Sequence, residues 1–125
     1  MANKDEGTIS CKTILIGDTG VGKKSIRLIN STPGRCACCC SIKTIHMSTI
    51  KKSIKFEIND PAGQERFKAI SKSFYKNASV CILIYDITRK QTFEDLKKYW
   101  IQQVKEYSSP NIIKSSYYLI SIFQI

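Results

Sequence analysis

The chain has 125 residues, enough for one domain with a real core and too few for two. Its 20 basic against 10 acidic residues give a net charge of +10, but the basic residues are scattered and lack aromatic interleaving, so a solvated surface is expected and nucleic acid is not an expected partner. The longest apolar run, residues 80–85, is far too short to span a bilayer and no signal peptide opens the chain; the six cysteines then read as reduced thiols in a cytosolic protein.

In chain order, residues 1–8 form a polar tail and residues 9–125 the domain. Residues 9–16 predict a strand and residues 23–29 a short helix. Two further strands are expected over 42–47 and 53–58, the second alternating Ile54, Phe56 and Ile58 on one face with Lys55 and Glu57 on the other. The apolar run 80–85 predicts a central parallel strand covered on both faces. A helix is predicted from Thr92, with Thr92 and Asp95 at capping-box spacing and Phe93, Leu96, Trp100, Val104 and Tyr107 at helical intervals; Pro110 lies past its end. Residues 115–125 form an apolar and aromatic tail able to make a fifth strand. This order of elements predicts a doubly wound α/β sheet with its ligand at the carboxyl ends of the strands.

Two motifs carry chemistry. Directly after Ile14-Leu15-Ile16 the chain reads Gly17-Asp18-Thr19-Gly20-Val21-Gly22-Lys23-Lys24-Ser25, a glycine-rich loop between a strand and a helix. Gly17 and Gly22 let the backbone turn so that successive N–H groups face phosphate oxygens, and Lys23 brings an ammonium to the β/γ end. The position after Lys23, where this pattern places a Mg²⁺-binding hydroxyl, holds Lys24; Ser25 comes one residue later. The second motif, Asp60-Pro61-Ala62-Gly63-Gln64-Glu65-Arg66-Phe67, follows the 53–58 strand. There Asp60 suits a metal ion held through water, Gly63 permits an N–H to approach a terminal phosphate, and Gln64 can orient an attacking water.

With these motifs, Phe74-Tyr75-Lys76-Asn77-Ala78 and Ile84-Tyr85-Asp86-Ile87-Thr88, the chain resembles a small GTPase of the Ras superfamily, and within it a Rab, over residues 8–113. The resemblance implies a P-loop NTPase G domain with a doubly wound, mostly parallel sheet, lacking the last strand and two helices. It implies GTP and GDP as ligands, with Mg²⁺, in a nucleotide-dependent switch of vesicle traffic. The diphosphate would meet Gly17, Asp18, Gly20, Val21, Gly22, Lys23, Lys24 and Ser25; Asp60 and Ser25 would serve the metal, Gly63 the γ-phosphate and Gln64 the hydrolytic water. Effectors or regulators would read a surface from Arg66 to Tyr75 on a monomer that is cytoplasmic or peripheral to endomembranes.

The chain also departs from the family. Lys24 puts a cation where Mg²⁺ should bind; two unit charges ~4 Å apart repel by about 4 kcal/mol at an effective dielectric near 20, so hydrolysis is expected to be weak. The first-switch threonine has no clear counterpart: Thr32 and Thr44 are near it only by position. Cys36, Cys38, Cys39 and Cys40 fill that stretch at spacings unlike a structural zinc site and are expected to be idle loop thiols; Cys11 and Cys81 are expected buried in strands, and His46 lies on one. The end Ser121-Ile122-Phe123-Gln124-Ile125 carries no cysteine, so no lipid anchor is expected, and neither Asn-Lys-x-Asp nor a Ser-Ala-Lys loop follows residue 114. A non-hydrolysing interaction module and a truncated gene product therefore stand beside the working switch as alternatives.

Overall fold

A computed structural model describes residues 7–29, 40–61, 63–68 and 70–119. Five strands form one sheet: β1 (Thr8–Ile16), β2 (Cys40–Met47), β3 (Lys52–Asn59), β4 (Val80–Asp86) and β5 (Ile113–Leu119), in the order β2-β3-β1-β4-β5. Only β2 runs antiparallel, paired to β3 by the turn at residues 48–51. The other four are parallel, so the ends of β1, β3 and β4 open on one edge of the sheet. The expected mostly parallel α/β sheet is thus what forms, and β5 takes up the first part of the apolar tail; Cys36, Cys38, Cys39 and Thr32 lie outside the described residues.

Alternation along β1 divides the core. Ile14 and Ile16 face one side with Cys81 and Leu83, beneath Tyr75, Leu96, Trp100 and Val104. Leu15 faces the other with Val21, Ile58 and Ile84, against Ile26 and Phe56. Each fully buried side chain of this size contributes about 1.5–3 kcal/mol, and the two clusters give the sheet a covered patch on both faces. Cys81 is fully buried as expected, whereas Cys11 is half-buried; His46, on exposed β2, pairs its Nδ1 with Ser53 Oγ at 2.8 Å.

Helix α1 (Lys23–Ile29) has the predicted bounds. A 3-10 turn (Gln64–Phe67) and the short helix α2 (Lys72–Tyr75) follow β3. After β4 come α3 (Lys90–Asp95), a π turn (Leu96–Trp100) and α4 (Ile101–Tyr107).

Three expectations need correction. The helix after β4 begins at Lys90 with Arg89 in the cap position, so Thr92 is no N-cap. Its buried hydroxyl accepts from the Asp86 N–H (2.9 Å) and donates to the Arg89 carbonyl (2.7 Å), joining strand end to helix start. The expected single helix is interrupted by a π turn at Leu96–Trp100, closed by Ile101 N–H to the Leu96 carbonyl, while Leu96, Trp100 and Val104, four residues apart, are all buried. Cys40, expected in a loop, opens β2 because it pairs with Asn59 at the end of β3.

Candidate phosphate-binding site

The loop from Gly17 to Gly22 leaves the end of β1 and turns into α1. Gly17 passes so close to β4 that a Cβ would run into the Ile84 carbonyl. Gly20 and Gly22 have φ of 77° and 102°, which glycine adopts without steric cost. Val21 between them is 2% exposed and ties the loop to the core.

Lys23, the first residue of α1, folds back under the loop and is 4% exposed. Its Nζ donates to the Gly17 carbonyl (2.9 Å) and the Asp18 carbonyl (2.5 Å) and lies 3.4 Å from Glu65 Oε1. Burial pushes the Lys23 pKa down, and the carboxylates of Glu65, Asp60 and Asp18 oppose that shift. Asp60, at the end of β3, is buried and within reach of the same charge.

Lys24 and Ser25 are both exposed. At about 100° per residue Ser25 stands roughly 200° round α1 from Lys23, so the fold brings Gly17, Asp18, Lys23 and Asp60 together and leaves Ser25 off the group. Gly63, with φ of 85°, opens the 3-10 turn, and a Cβ there would meet nothing within 4 Å. Gln64 is exposed, and its Oε1 accepts the Ser71 N–H at 3.4 Å. Among the described residues no three histidines, cysteines or acids gather as a metal-binding group.

The segment that follows is pinned to the helix after β4. Tyr99 donates its hydroxyl to the Lys68 carbonyl (2.8 Å), Lys68 Nζ sits over the Tyr99 ring at 4.8 Å, and Lys72 Nζ over the Tyr107 ring at 5.3 Å. Arg66, Lys68 and Lys72 are exposed, but Tyr75 is fully buried and belongs to the core rather than to a readable surface. Burial raises its pKa, and its hydroxyl has no hydrogen-bond partner among the described residues.

Several site residues carry no signature in the sequence. Trp100 donates its indole N–H to Asp18 Oδ1 at 2.7 Å, across 82 positions. Asp18 also shares a hydrogen bond with Asp95; burial and that bond raise the Asp18 pKa, while Asp95, bonded by Asp18 and by Gln91, is lowered. Arg89 donates from Nε to Asp86 Oδ2 (3.1 Å) and from Nη2 to the Thr19 carbonyl (3.3 Å). Glu65 lies in the second motif, but only the fold makes it the ion-pair partner of Lys23.

The Ras family model matches residues 12–120. Similar curated proteins include Ras-related protein Rab-12 of Mus musculus, 40% identical over 78% of this chain and 42% of its own length. Ras-related protein Rab-22A of Homo sapiens is 38% identical over 82% of this chain and 55% of its own length, and Ras-related protein RABA1c of Arabidopsis thaliana 35% over 87% and 52%. The chain thus spans about half the length of the curated relatives it matches. By this match over most of its length and by the loop that its sheet builds at the end of β1, the chain belongs to the Ras superfamily of small GTPases, as a member of Rab type.

Proposed function

We propose that residues 9–125 act as a guanine-nucleotide-binding unit of a Rab-type switch in vesicle traffic, with GTP hydrolysis near background. The observation that carries the reading is Lys23: an ammonium buried beneath a glycine loop and fixed by the Gly17 and Asp18 carbonyls, where a phosphate group would supply the matching charge. The phosphates of GDP or GTP fit this loop. Gly20 and Gly22 offer N–H groups without side chains in the way, and Lys23 can exchange Glu65 for a phosphate oxygen.

Mg²⁺ fits poorly. Of the two ligands expected for it, Asp60 is buried beside Lys23, whereas Ser25 is exposed on the far side of α1, and Lys24 next to Ser25 adds an exposed positive charge. No step of the reaction is assigned to the ion.

In hydrolysis Gln64 would hold the attacking water with its side-chain amide and Gly63 would offer its N–H to the terminal phosphate. Gln64 must first release the Ser71 N–H that it accepts, which adds to the barrier. Effectors or regulators would read the exposed residues Arg66, Lys68 and Lys72, beside a half-buried Phe74. No helix among the described residues is long and apolar enough to cross a membrane, and a monomer peripheral to endomembranes is the proposed setting.

A non-hydrolysing interaction module is the second reading, and Lys24 is the observation that favours it. Single-turnover GTP hydrolysis by the purified chain separates the two from a working enzyme. The proposal expects phosphate release no faster than about twice the buffer blank; rapid release that stops in Gln64→Leu would overturn it.

A further inference from the structure

We propose that Arg89 is a positioning residue of the phosphate loop, which by holding the Thr19 carbonyl from outside aims the Gly20 N–H at the bound phosphate. The inference rests on the phosphate-binding reading above and assigns a role to a residue that neither loop motif contains.

The geometry follows from the peptide unit. Among the described residues no peptide bond is cis, so the C=O of Thr19 and the N–H of Gly20 point in opposite directions from one plane. Arg89 Nη2 donates to that C=O at 3.3 Å, and the same nitrogen lies 3.4 Å from where a Cβ of Gly20 would stand. The guanidinium therefore lies against the flank of the loop nearest the β4–α3 turn, and the Gly20 N–H is turned to the other side. The two preceding carbonyls, of Gly17 and Asp18, are drawn instead to Lys23. The chain of peptide dipoles thus changes partner at Thr19, and the φ of 77° at Gly20 is the left-handed conformation that accommodates the change.

Arg89 is itself held. Its Nε donates to Asp86 Oδ2 at 3.1 Å, while Asp86 Oδ1 accepts the Thr88 N–H (2.8 Å) and hydroxyl (2.6 Å). Asp86 is 4% exposed at the end of β4, and the Asp86 N–H is bound by Thr92. The fork of the guanidinium spans Asp86 and Thr19 in one rigid plane, a geometry that a lysine ammonium does not reproduce. A loop carbonyl is so fastened to the end of β4, the strand beside β1 in the sheet, and one amide of the loop is set before any anion arrives.

The test uses the full chain labelled with ¹⁵N, as wild type, Arg89→Ala and Arg89→Lys, titrated with inorganic pyrophosphate while thermal stability is recorded in parallel. The readouts are the Gly20 amide resonance and the dissociation constant. Losing one set hydrogen bond to a charged group predicts about a tenfold weaker binding in both variants, with the free-protein Gly20 resonance displaced. Lysine keeps the charge, so recovery of wild-type affinity in Arg89→Lys would mean a general field effect and would overturn the positioning role. An unmoved Gly20 resonance, or affinity within twofold of wild type in Arg89→Ala, overturns it as well. Wild type that binds neither pyrophosphate nor GDP overturns the phosphate-loop reading itself, and this inference with it; that failure shows in the parent chain and not in the variants. Should Arg89→Ala unfold, Arg89→Lys and its Gly20 resonance carry the decision.

Discussion

Lys23 Nζ lies 3.4 Å from Glu65 Oε1, with the two side chains 4% and 8% exposed, so the cation of the phosphate loop is also the counter-ion of the turn after β3. A phosphate entering the loop and Glu65 compete for that one ammonium. Glu65→Gln should then raise pyrophosphate affinity about three- to tenfold by titration calorimetry, because the neutral amide no longer opposes the exchange. Unchanged or weaker binding in the variant would show that Glu65 plays no such competing part. Lys23→Met leaves Glu65 buried without its cation and should cost about 3 kcal/mol of stability in urea unfolding.

Gly17 is required by space. A Cβ at this position meets the Ile84 carbonyl oxygen, a backbone atom in the central strand that cannot move aside like the end of a flexible side chain. Gly17→Ala should destabilise the chain by about 1–3 kcal/mol or more, read as a lower thermal midpoint. Gly63→Ala, with open space around it, should lose only the smaller cost of its positive φ.

The hydrogen bond between Asp18 and Asp95 makes stability depend on pH through two opposed contributions. The pKa of Asp18 is raised from its ordinary 3.8, chiefly by burial and next by Asp95, so the folded chain retains a proton that the unfolded chain gives up. That contribution is present below the ordinary value and is lost as pH rises through the folded one. Asp95, lowered by its bond from Asp18, contributes in the opposite sense and loses its part as pH falls. Asp18→Asn keeps an acceptor for Trp100 and a donor for Asp95 without the titrating proton. It should be more stable than the wild type at neutral pH, by less than about 1 kcal/mol once solvent screening is allowed for, and should lose the part of the pH dependence that lies above the ordinary carboxylate value, as urea unfolding across that range would read.

Tyr99 fastens the segment after the second motif by its hydroxyl on the Lys68 carbonyl. Tyr99→Phe should leave the fold cooperative, cost about 0.5–1.5 kcal/mol at most, and speed tryptic cleavage after Lys68 several-fold. Cleavage at the wild-type rate would show that the segment is held by other contacts.

What could be read from the sequence was local. The strand Thr8–Ile16, the glycines and the helix Lys23–Ile29 follow one another directly in the chain, and their chemistry is set by spacing alone. The buried run of β4 and the alternation of β3 were legible for the same reason. The partners of Asp18, Thr19 and Lys23 were not, because Trp100, Arg89 and Glu65 reach them only after the order β3-β1-β4 has put three strand ends side by side. Thr92 shows the limit within one turn of helix: its hydroxyl suits a cap or an inward bridge, and Asp86, at the end of the preceding strand, decides for the bridge. The π turn left no trace in the sequence, because the spacing of Phe93, Leu96, Trp100, Val104 and Tyr107 is that of an ordinary amphipathic α-helix.

Trp100 is the single tryptophan, and its indole is bonded to Asp18 in the phosphate loop, so its emission reports on the site without a label. The most direct measurement is an equilibrium titration of the chain with GDP, GTP, ADP and pyrophosphate, each with and without Mg²⁺, followed by Trp100 fluorescence. The account predicts saturable binding of all four, centred on the phosphates, with Mg²⁺ changing each dissociation constant less than about threefold. Binding that strengthens about a hundredfold or more with Mg²⁺ would contradict it, since a metal worth about 2.7 kcal/mol needs ligands that Lys24 and Ser25 do not supply.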